Sequence, residues 1–296
     1  MIKHVFHKDI DITKWDKCVE DSDNCLIYAK SFYLNNISPN WNALVYKDYE
    51  AVMPLPWRSK FCIKYLYQPA FFQQGGVFGK NFSSILVLEF IKAIPNSYKL
   101  IDITLNYHSY VSNEDLTKKN NFILELNEQS PTGILTNKGF REAYNKALKQ
   151  NFSYKEFTEI ELALSMHKSI YGNRISVNEE EYKGFLEICN TCKQQGNMVC
   201  RIVEENGNLV SLVLLLKDKN RLYNIISCTT LEGRKKNSNY FLYYKLIEEF
   251  AQSGLILDLE GSDIPGVEFF YKRITDKNQP YFYLRKKNYN YKRTNQ

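Results

Sequence analysis

The 296-residue sequence has no apolar stretch long enough to cross a bilayer. Its longest apolar run, 209–216, has the length of a strand, whereas a membrane-spanning helix needs about 20 apolar residues. The opening residues, 1–5, lack the apolar core of a secretory signal peptide. We therefore expect a soluble, cytoplasmic protein without a membrane span.

The sequence also lacks the cysteine patterns of disulfide scaffolds and zinc sites. Its seven cysteines are an odd number and are scattered along a chain large enough to form a core without cross-links. Cys189 and Cys192 form a Cys-x-x-Cys pair, but no second pair or nearby histidine completes a metal site. We predict reduced thiols, no bound metal, and a helix that carries Cys189 and Cys192 on one face.

Positive charge is present but is not concentrated in one half of the chain. The net charge is +6, and residues 1–150 and 151–296 contribute +3 each. A nucleic-acid-binding protein usually carries a basic stripe or tail. The candidate is the end of the sequence, for which we expect a solvated terminus: Arg285, Lys286, Lys287, Lys292 and Arg293, interleaved with Tyr289 and Tyr291. A Walker loop, a paired-aspartate metal motif and a Ser/His/Asp signature are all missing.

What the sequence does contain is an ordinary globular composition with many aromatic residues. Hydrophobic residues make up 44% and charged residues 24%, which predicts a packed core, and there are 22 Tyr and 18 Phe. In the first half, predicted helices at 11–19, 28–34 and 85–94 alternate with predicted strands at 42–46, 50–57, 65–67, 99–105 and 121–126. This alternation favours an α/β or α+β fold.

The second half has a clearer order of elements. After a helix at 137–150, the patterns predict a helix at 179–194 and three strands at 199–203, 209–216 and 222–226, joined by turns such as Asn206-Gly207. A helix at 239–252, a strand at 255–259, a capped helix through 269–273 and a strand at 280–284 follow. We place the domain boundary between 135 and 136, which gives domains 1–135 and 136–296.

Three segments of the second half resemble the FemAB-like tandem GNAT proteins. They are Gly233-Arg234-Lys235-Lys236-Asn237-Ser238-Asn239-Tyr240, then Leu257-Asp258-Leu259-Glu260-Gly261-Ser262, then Gly266-Val267-Glu268-Phe269-Phe270-Tyr271-Lys272. Phe140-Arg141 and Lys146-Ala147 are similar to the basic helix that begins the family's second domain. The resemblance covers roughly 135–285, whereas the first half agrees only in size and element order.

The resemblance implies two tandem GNAT-like α/β (α+β) domains, each a mixed, largely antiparallel sheet flanked by helices, the first possibly degenerate. It implies an N-acyltransferase that moves an acyl group to an amine of a small molecule or a cell-envelope precursor. Acyl-CoA or acetyl-CoA is the expected donor and no metal is expected. An aminoacyl-tRNA donor, with tRNA contacting Arg141, Lys146, Lys149 and the C-terminal tail, is one alternative. A silent binding or scaffold protein with the same fold is the other.

The donor site implied by the resemblance is a phosphate-binding loop that opens a helix, where backbone N–H groups and the helix dipole favour an anion. The predicted donor-binding residues are Arg234, Asn237, Ser238, Asn239 and Tyr240. The family motif has glycines where Asn237 and Asn239 stand. Asn tolerates left-handed backbone, so the loop can persist, but its side chain crowds a phosphate. A simple helix-capping turn is the alternative.

The predicted catalytic residues follow the same resemblance. Glu260 comes directly after an apolar strand, where open sheets place ligands, and a partly buried Glu has a raised pKa that suits a general base. Its alternative roles are to pair with a cation or to cap the next helix. Lys272 is predicted to stabilise charge and Tyr271 to protonate the leaving group. Adjacent helical residues point about 100° apart, so only one of the two is expected to face the cleft, and we favour Lys272.

An acceptor pocket is predicted between the domains. Its substrate-binding residues are Trp57, Tyr67, Gln73 and Gln74, with Arg141 from the second domain, although core packing is the alternative for the aromatic residues. The enzyme interpretation depends on one geometric condition. The amides before Tyr240 and the Glu260 carboxylate must border one crevice, with Lys272 on the same side.

Overall fold

The computed structural model describes residues 1–111, 115–172 and 177–288. The predicted tail residues Tyr289, Tyr291, Lys292 and Arg293 lie outside these ranges. The strands are β1 (Ile2–Val5), β2 (Trp41–Tyr46), β3 (Ala51–Lys60), β4 (Ile63–Leu66), β5 (Phe78–Gly79), β6 (Tyr98–Leu105), β7 (Leu116–Lys119), β8 (Ile123–Glu125), β9 (Phe152–Glu156), β10 (Met198–Glu205), β11 (Asn208–Lys217), β12 (Arg221–Thr229), β13 (Ile256–Asp258) and β14 (Tyr281–Lys287).

The helices flank these strands throughout the described chain. They are α1 (Ile12–Asp21), α2 (Ser31–Ile37), α3 (Ser84–Ala93), α4 (Ser130–Ile134), α5 (Lys138–Ala147), α6 (Ile160–Tyr171), α7 (Glu179–Gln194), α8 (Leu231–Lys235), α9 (Ser238–Glu249) and α10 (Pro265–Tyr271). Two short 3₁₀ turns, His7–Asp9 and Ile27–Ala29, precede α1 and α2.

The chain forms two compact units whose limits differ from the predicted domains. The first unit is Met1–Lys119 together with the chain from Pro280 onward, and the second is Asn120–Gln279. The predicted boundary at 135/136 falls inside the second unit, between α4 and α5. β14, which we expected to close the second domain, pairs with β6 and β7 of the first unit. We did not predict this pairing, because strands so far apart in the chain leave no sign of their pairing in the local sequence.

The two sheets share one pattern of strand directions over six strands, which is the tandem architecture expected from the sequence. The first sheet runs β1-β2-β3-β4-β6-β14-β7, with β5 also paired to β3, and the second runs β9-β10-β11-β12-β13-β8. In each, antiparallel strands lead to one parallel pair, β4 with β6 or β12 with β13. Each parallel pair is connected by a segment that contains a helix. The predicted fold class, two mixed and largely antiparallel sheets flanked by helices, is confirmed.

Local sequence signals account for many element ends. Asp11, Ser83 and Asn137 accept hydrogen bonds from backbone amides at the starts of α1, α3 and α5. Asn178 and Glu181 form a capping box at the start of α7. α10 differs from the prediction, because its N-cap residue is Ile264 and not the predicted Ser262 or Asp263.

The core of the second unit covers both faces of its sheet. α5 and α9 pack over one face, which carries Val213 and Leu215 of β11. The alternate residues Leu212 and Leu214 are fully buried on the other face, where α6 and α7 pack. β11 is therefore a buried, largely apolar strand between two helical layers. The irregular strand pairing lies beside it, at β12 and β13.

Candidate active site

The second unit has an opening where two parallel strands part. β13 pairs with β12 over three residues, ending at Tyr223↔Asp258, although β12 continues well beyond. Directly after Tyr223, β12 carries a β-bulge, because Asn224 and Ile225 stand opposite the single residue Leu215 of β11. The bulge and the early end of β13 leave a gap in the pairing of these two strands after Tyr223 and Asp258. It follows the carboxyl end of β13, and open α/β sheets place ligands beyond the carboxyl ends of their strands.

A buried asparagine, Asn224, connects this bulge to α9 and α10. Its Nδ2 donates to the hydroxyl oxygens of Tyr243 at 2.6 Å and Tyr271 at 2.9 Å, and to the backbone oxygen of Leu259 at 3.3 Å. Asn224 is 4% exposed, and its Oδ1 has no hydrogen-bond partner within the described part of the chain. Because an unpaired buried acceptor lowers stability, this oxygen marks a position for a donor from a ligand or water.

Glu260 lies beside the Asn224 cluster, two residues after β13. Its backbone is left-handed, with φ 50°, and Gly261 continues the turn with φ 52°. The residue is half-buried, and burial of the carboxyl group raises its pKa from 4.5 to about 8. Burial also raises the pKa of Tyr271 well above its ordinary value, and the nearby Tyr243 and the charge of Glu260 add to this effect. The gap therefore holds a carboxyl group that titrates near neutral pH beside a phenol that keeps its proton.

A buried ion pair holds the strand that leads to Glu260. Arg221 Nη1 lies 2.5 Å from Asp258 Oδ2, and both side chains are almost fully buried. Arg221 also donates to Gln279 Oε1 at 3.0 Å, while Asp258 Oδ1 accepts from the Glu260 amide at 3.3 Å. Since removing one partner would leave an uncompensated buried charge, this pair determines where the chain leaves the sheet. It thereby positions Glu260.

The predicted phosphate loop is the link between α8 and α9. The backbone of Asn237 is left-handed, with φ 60°. A residue that stands in place of the expected glycine must tolerate this conformation. The side chain of Ser238 is fully buried and its Oγ lies 2.5 Å from Ser211 Oγ, so it supports the sheet. The amides of Ser238 and Asn239 begin α9, where the first N–H groups of a helix have no acceptor within it. Backbone groups, not the Ser238 hydroxyl, are what this loop offers to an anion.

Two further predicted donor-binding side chains have partners inside the second unit. Arg234 is exposed, and its guanidinium donates to the last carbonyl of β12 at 3.2 Å and to Tyr171 Oη at 3.4 Å. Tyr240 is 8% exposed, packs against Phe270, and accepts a hydrogen bond from Arg273 Nη1 at 2.7 Å. Tyr240 is thus part of the core, whereas Arg234 lies beside the α8–α9 loop and next to α6.

α6 contributes a further tyrosine, which was not predicted from the sequence. Tyr171, its last residue, accepts a hydrogen bond from Arg234 Nη2 at 3.4 Å and adds slightly to the raised pKa of both Tyr243 and Tyr271. One turn earlier, His167 Nδ1 lies 2.9 Å from Tyr182 Oη, and burial lowers the His167 pKa to about 4. A neutral His167 therefore holds α6 against α7, and α6 presents Tyr171 to the site.

Lys272 lies apart from these groups. Its Nζ is 2.7 Å from Glu268 Oε1 and 5.9 Å from the centre of the Phe122 ring. It lines a separate groove of about 520 Å³ beside β8 and α4. Glu260 does not line this groove, and α10 turns the residue next to Lys272, Tyr271, into the core. A catalytic role for Lys272 stays a prediction. Tyr271 is the predicted catalytic residue of α10 whose hydroxyl contacts Asn224.

The glutamines predicted to bind the acceptor are held within the first unit. Gln74 is fully buried, donates to Gln73 Oε1 at 3.1 Å and accepts from the Tyr107 amide at 3.1 Å. The backbone oxygen of Gln73 accepts from Thr104 Oγ1 at 2.6 Å. These contacts give Gln74 a structural role in its loop.

The other predicted acceptor residues are Trp57, Tyr67 and Arg141. Lys64 Nζ lies 4.8 Å from the Trp57 ring, and the Arg58 guanidinium lies 4.1 Å from the Tyr67 ring. Arg141 Nη1 donates to a backbone oxygen just after α4 at 2.7 Å. Arg141 is thus tied to the end of α4, and the aromatic faces are covered by cations. Binding of an acceptor by any of these residues remains a prediction.

Neither a metal centre nor a membrane span is found in the described ranges. No group of three or more His, Cys, Asp and Glu residues there has the arrangement to hold a metal ion. None of the helices there is both long and apolar enough to traverse a bilayer. Cys189 and Cys192 are both buried on α7, the placement on one helix that the sequence predicted.

No protein-family model and no curated protein sequence matches the chain. Solved structures do match over nearly its whole length. FemX aligns with a TM-score of 0.62 at 11% identity, covering 95% of this chain and 94% of FemX. The C-terminal DUF2156 domain of a putative lysylphosphatidylglycerol synthetase from Agrobacterium fabrum gives 0.58 at 11%, covering 93% and 91%. A tandem GNAT protein from the clavulanic acid biosynthesis pathway gives 0.53 at 9%, covering 98% and 99%. The chain has the FemAB-like tandem GNAT fold that the sequence motifs predicted.

Proposed function

We propose that the second unit transfers an acyl group from a phosphate-bearing donor, most simply an acyl-CoA, to an amine. The observation that carries the proposal is that Glu260 and Tyr271 both lie at the gap between β12 and β13, near enough for the charge of Glu260 to raise the pKa of Tyr271. One group has a pKa of about 8 and the other keeps its proton at neutral pH. General acid–base catalysis needs such a pair, with both groups on the same reacting centre.

The residues of the gap account for each proton in the reaction. The amine nitrogen attacks the thioester carbon, and the Glu260 carboxylate accepts the proton that the nitrogen loses. Collapse of the tetrahedral intermediate breaks the C–S bond, and the Tyr271 hydroxyl donates a proton to the departing thiolate. Glu260 then returns its proton to Tyr271, so the net transfer is from amine to thiol. The unpaired Oδ1 of Asn224 is available to accept an N–H of the incoming amine.

The start of α9 is the proposed position for the donor phosphates. The amides of Ser238 and Asn239 and the positive end of the α9 dipole favour an anion there. Arg234 is exposed beside the same loop. Asn237 and Asn239 carry side chains where the family has glycines, which narrows the approach to the amides. The proposal therefore predicts weaker binding of CoA esters than a glycine loop would give.

Binding is tested by thermal shift with acetyl-CoA and longer acyl-CoA esters. We expect a rise of a few degrees in Tm at saturating ester, as mass action requires for a ligand of the folded state. Asn239→Asp should abolish the rise by placing a negative charge beside the amides. Asn151→Asp, at an exposed position, is the matched control and should keep it.

Catalysis is tested by thiol release from the ester with a panel of amines. Glu260→Gln and Tyr271→Phe should each lower kcat by about 10²–10⁴-fold. Lys272→Met should stay within about threefold of wild type, because Lys272 pairs with Glu268 outside the gap.

Two outcomes would replace the proposal. Salt-sensitive retention of tRNA, without any effect of CoA esters, would favour the aminoacyl-tRNA donor. Arg285 and Lys286 of β14 lie 4.0 Å and 3.7 Å from carboxylate oxygens of the first unit, which reduces the basic surface available for that mode. No response to either donor would leave a silent binding protein with this fold.

A further inference from the structure

The hairpin of β3 and β4 ends in a ribbon that extends beyond its sheet. β2 pairs with β3 only as far as Pro56, and β6 pairs with β4 only from Lys64 onward. Between these points, β3 and β4 pair solely with each other in the described chain, and the last pair is Lys60↔Ile63. Residues 58–63, which we call the 58–63 ribbon, therefore have no strand on either side.

The turn of this ribbon has an unusual composition. Phe61 and Cys62 have φ values of 50° and 61°, the left-handed backbone that two-residue hairpin turns require. Such positions favour Asn and Gly, and the hairpin of β10 and β11 uses Asn206 and Gly207 with φ 50° and 81°. A large apolar residue in this backbone is strained. Strain that is kept to present a particular side chain points to a role for that side chain.

That side chain is exposed. Phe61 is 86% exposed and Ile63 is 53% exposed, so two large apolar residues meet solvent at the tip. Neither can be buried by its own sheet, because no strand flanks the ribbon at this height. The tip of the ribbon therefore presents two large apolar side chains to solvent.

Positive charge surrounds the apolar tip. The hairpin itself, residues 51–66, contains three Lys/Arg and no Asp/Glu. Lys60 and Lys64 flank the turn, and neither has a carboxylate within 4 Å among the residues that the structure describes. Their ammonium groups lie over aromatic rings instead, Lys60 at 5.5 Å from Phe61 and Lys64 at 4.8 Å from Trp57. The charge here is thus not neutralised by neighbouring acids.

We propose that the 58–63 ribbon docks on an anionic membrane surface. Phe61 and Ile63 would enter the boundary between headgroups and acyl chains, while Lys60 and Lys64 contact anionic headgroups. A single-stranded nucleic acid fits less well, because its bases need free aromatic faces on which to stack. Phe61 offers a single exposed ring here, whereas Lys64 lies over the Trp57 ring and Arg58 over the Tyr67 ring. The ribbon therefore lacks a row of free rings on which successive bases could stack.

The experiment is co-sedimentation of the full chain with two kinds of vesicle. One is phosphatidylcholine alone, and the other contains about a third phosphatidylglycerol, at low ionic strength where surface charge is least screened. We expect binding to the anionic vesicles only. Phe61→Ser with Ile63→Ser, and separately Lys60→Glu with Lys64→Glu, should each weaken binding at least about tenfold. The matched control, Ile85→Ser with Lys92→Glu, removes one exposed apolar residue and one exposed lysine of α3 and should bind as wild type.

An internal reporter separates docking from loss of folding. Trp15 and Trp41 are fully buried, so Trp57 is the tryptophan at the ribbon that lipid can reach. Its fluorescence should be quenched by brominated lipid in wild type and in the control, but not in the two ribbon variants. Unchanged circular dichroism of those variants shows that they fold.

Three results would overturn the proposal. They are no binding of wild type to anionic vesicles, equal binding by the ribbon variants, and ribbon-dependent retention on polyuridine without any on vesicles. The last would assign the ribbon to nucleic acid instead. None of these results depends on the acyltransferase proposal, which concerns the other unit.

Discussion

Glu260→Gln should stabilise the protein at neutral pH and leave it nearly unchanged at mildly acidic pH. The reason is the buried carboxyl group, whose pKa is 4.5 in the unfolded chain and about 8 in the folded one. Between these values the folded state holds a proton that the unfolded state has lost. Raising the pH therefore favours unfolding throughout this window. The stabilisation that comes from the additional proton is complete at low pH and is lost as pH approaches 8. Glutamine keeps the shape of the neutral acid and cannot ionise.

The magnitude follows from the width of the window. Each pH unit within it changes the free energy of unfolding by about 1.4 kcal/mol. At pH 5 the variant should exceed wild type by less than about 1 kcal/mol, and at pH 7 by about 3 kcal/mol. A stabilising change at a proposed catalytic residue is what a trade-off between stability and activity predicts.

The assay is urea unfolding followed by far-UV circular dichroism at several pH values. Tryptophan fluorescence is unsuitable, because Trp15, Trp41 and Trp57 all belong to the first unit. Glu249→Gln is the matched control with the opposite sign. Burial opposes its ionisation, but hydrogen bonds from Arg201 and Tyr154 outweigh burial and lower the Glu249 pKa. Its stabilising effect is present above the unfolded pKa and is lost only as pH falls, so this variant should be destabilised at neutral pH.

A gain for Glu260→Gln that is the same at pH 5 and pH 7 would refute the reasoning. It would mean that the carboxyl group does not carry an additional proton in the folded state. Destabilisation at pH 7 would mean that the folded state needs the ionised group. Either result would remove Glu260 as a base tuned by burial.

Two further predictions concern packing and turn chemistry. Gly233→Ala should lower the free energy of unfolding by about 2–3 kcal/mol in the same assay, because the new Cβ would lie 2.5 Å from both Ser238 Oγ and the Val210 carbonyl oxygen. Gly266→Ala, whose Cβ would meet nothing within 4 Å, should change it by less than about 1 kcal/mol, and equal effects would contradict the packing argument. Phe61→Asn with Cys62→Gly should raise stability by about 1–2 kcal/mol in urea unfolding followed by tryptophan fluorescence, since both residues relieve the left-handed turn. A loss of stability there would show that Phe61 packs usefully.

Elements with strong local signals could be predicted closely from the sequence. The helix predicted at 179–194 has those bounds in the structure, since a capping box begins it. The turn at Asn206-Gly207 likewise set the β10–β11 hairpin. β9 and α6 were not predicted, although α6 supplies Tyr171. β9 is a short edge strand, and α6 begins without a side-chain cap, so neither shows a local start signal.

Pairing between distant segments could not be predicted. β14 resembles a closing strand of the second domain because it follows α10 directly in the chain. Its register with β6, from Phe282↔Leu105 to Lys287↔Leu100, connects residues more than 170 positions apart. The alternation of a strand indicates that one face is buried, but not which sheet buries it. The domain limits differ from the prediction for the same reason.

The choice between Tyr271 and Lys272 could have been made from the helix itself. Val267, Phe270, Tyr271 and Ile274 recur at intervals of three and four residues, and all four belong to the core cluster or pack against it. A helix that buries this stripe must turn Tyr271 inward and Lys272 toward solvent. The family position of Lys272 pointed the other way, and geometry within one helix is the stronger argument.

Asn224 offered a comparable signal that was overlooked. It interrupts an apolar strand sequence, Leu222-Tyr223-Asn224-Ile225-Ile226, in which a polar side chain must be buried. A buried amide needs partners, and the tyrosines of the following helices are the donors and acceptors within reach. The structure satisfies the Nδ2 of Asn224 through Tyr243 and Tyr271 and leaves its Oδ1 unpaired. The unpaired Oδ1 of Asn224 at the bulge and the buried carboxyl group of Glu260, whose pKa burial raises, are each unfavourable for stability. They occur beside each other. Their coincidence is why we place the proposed acyltransferase site there.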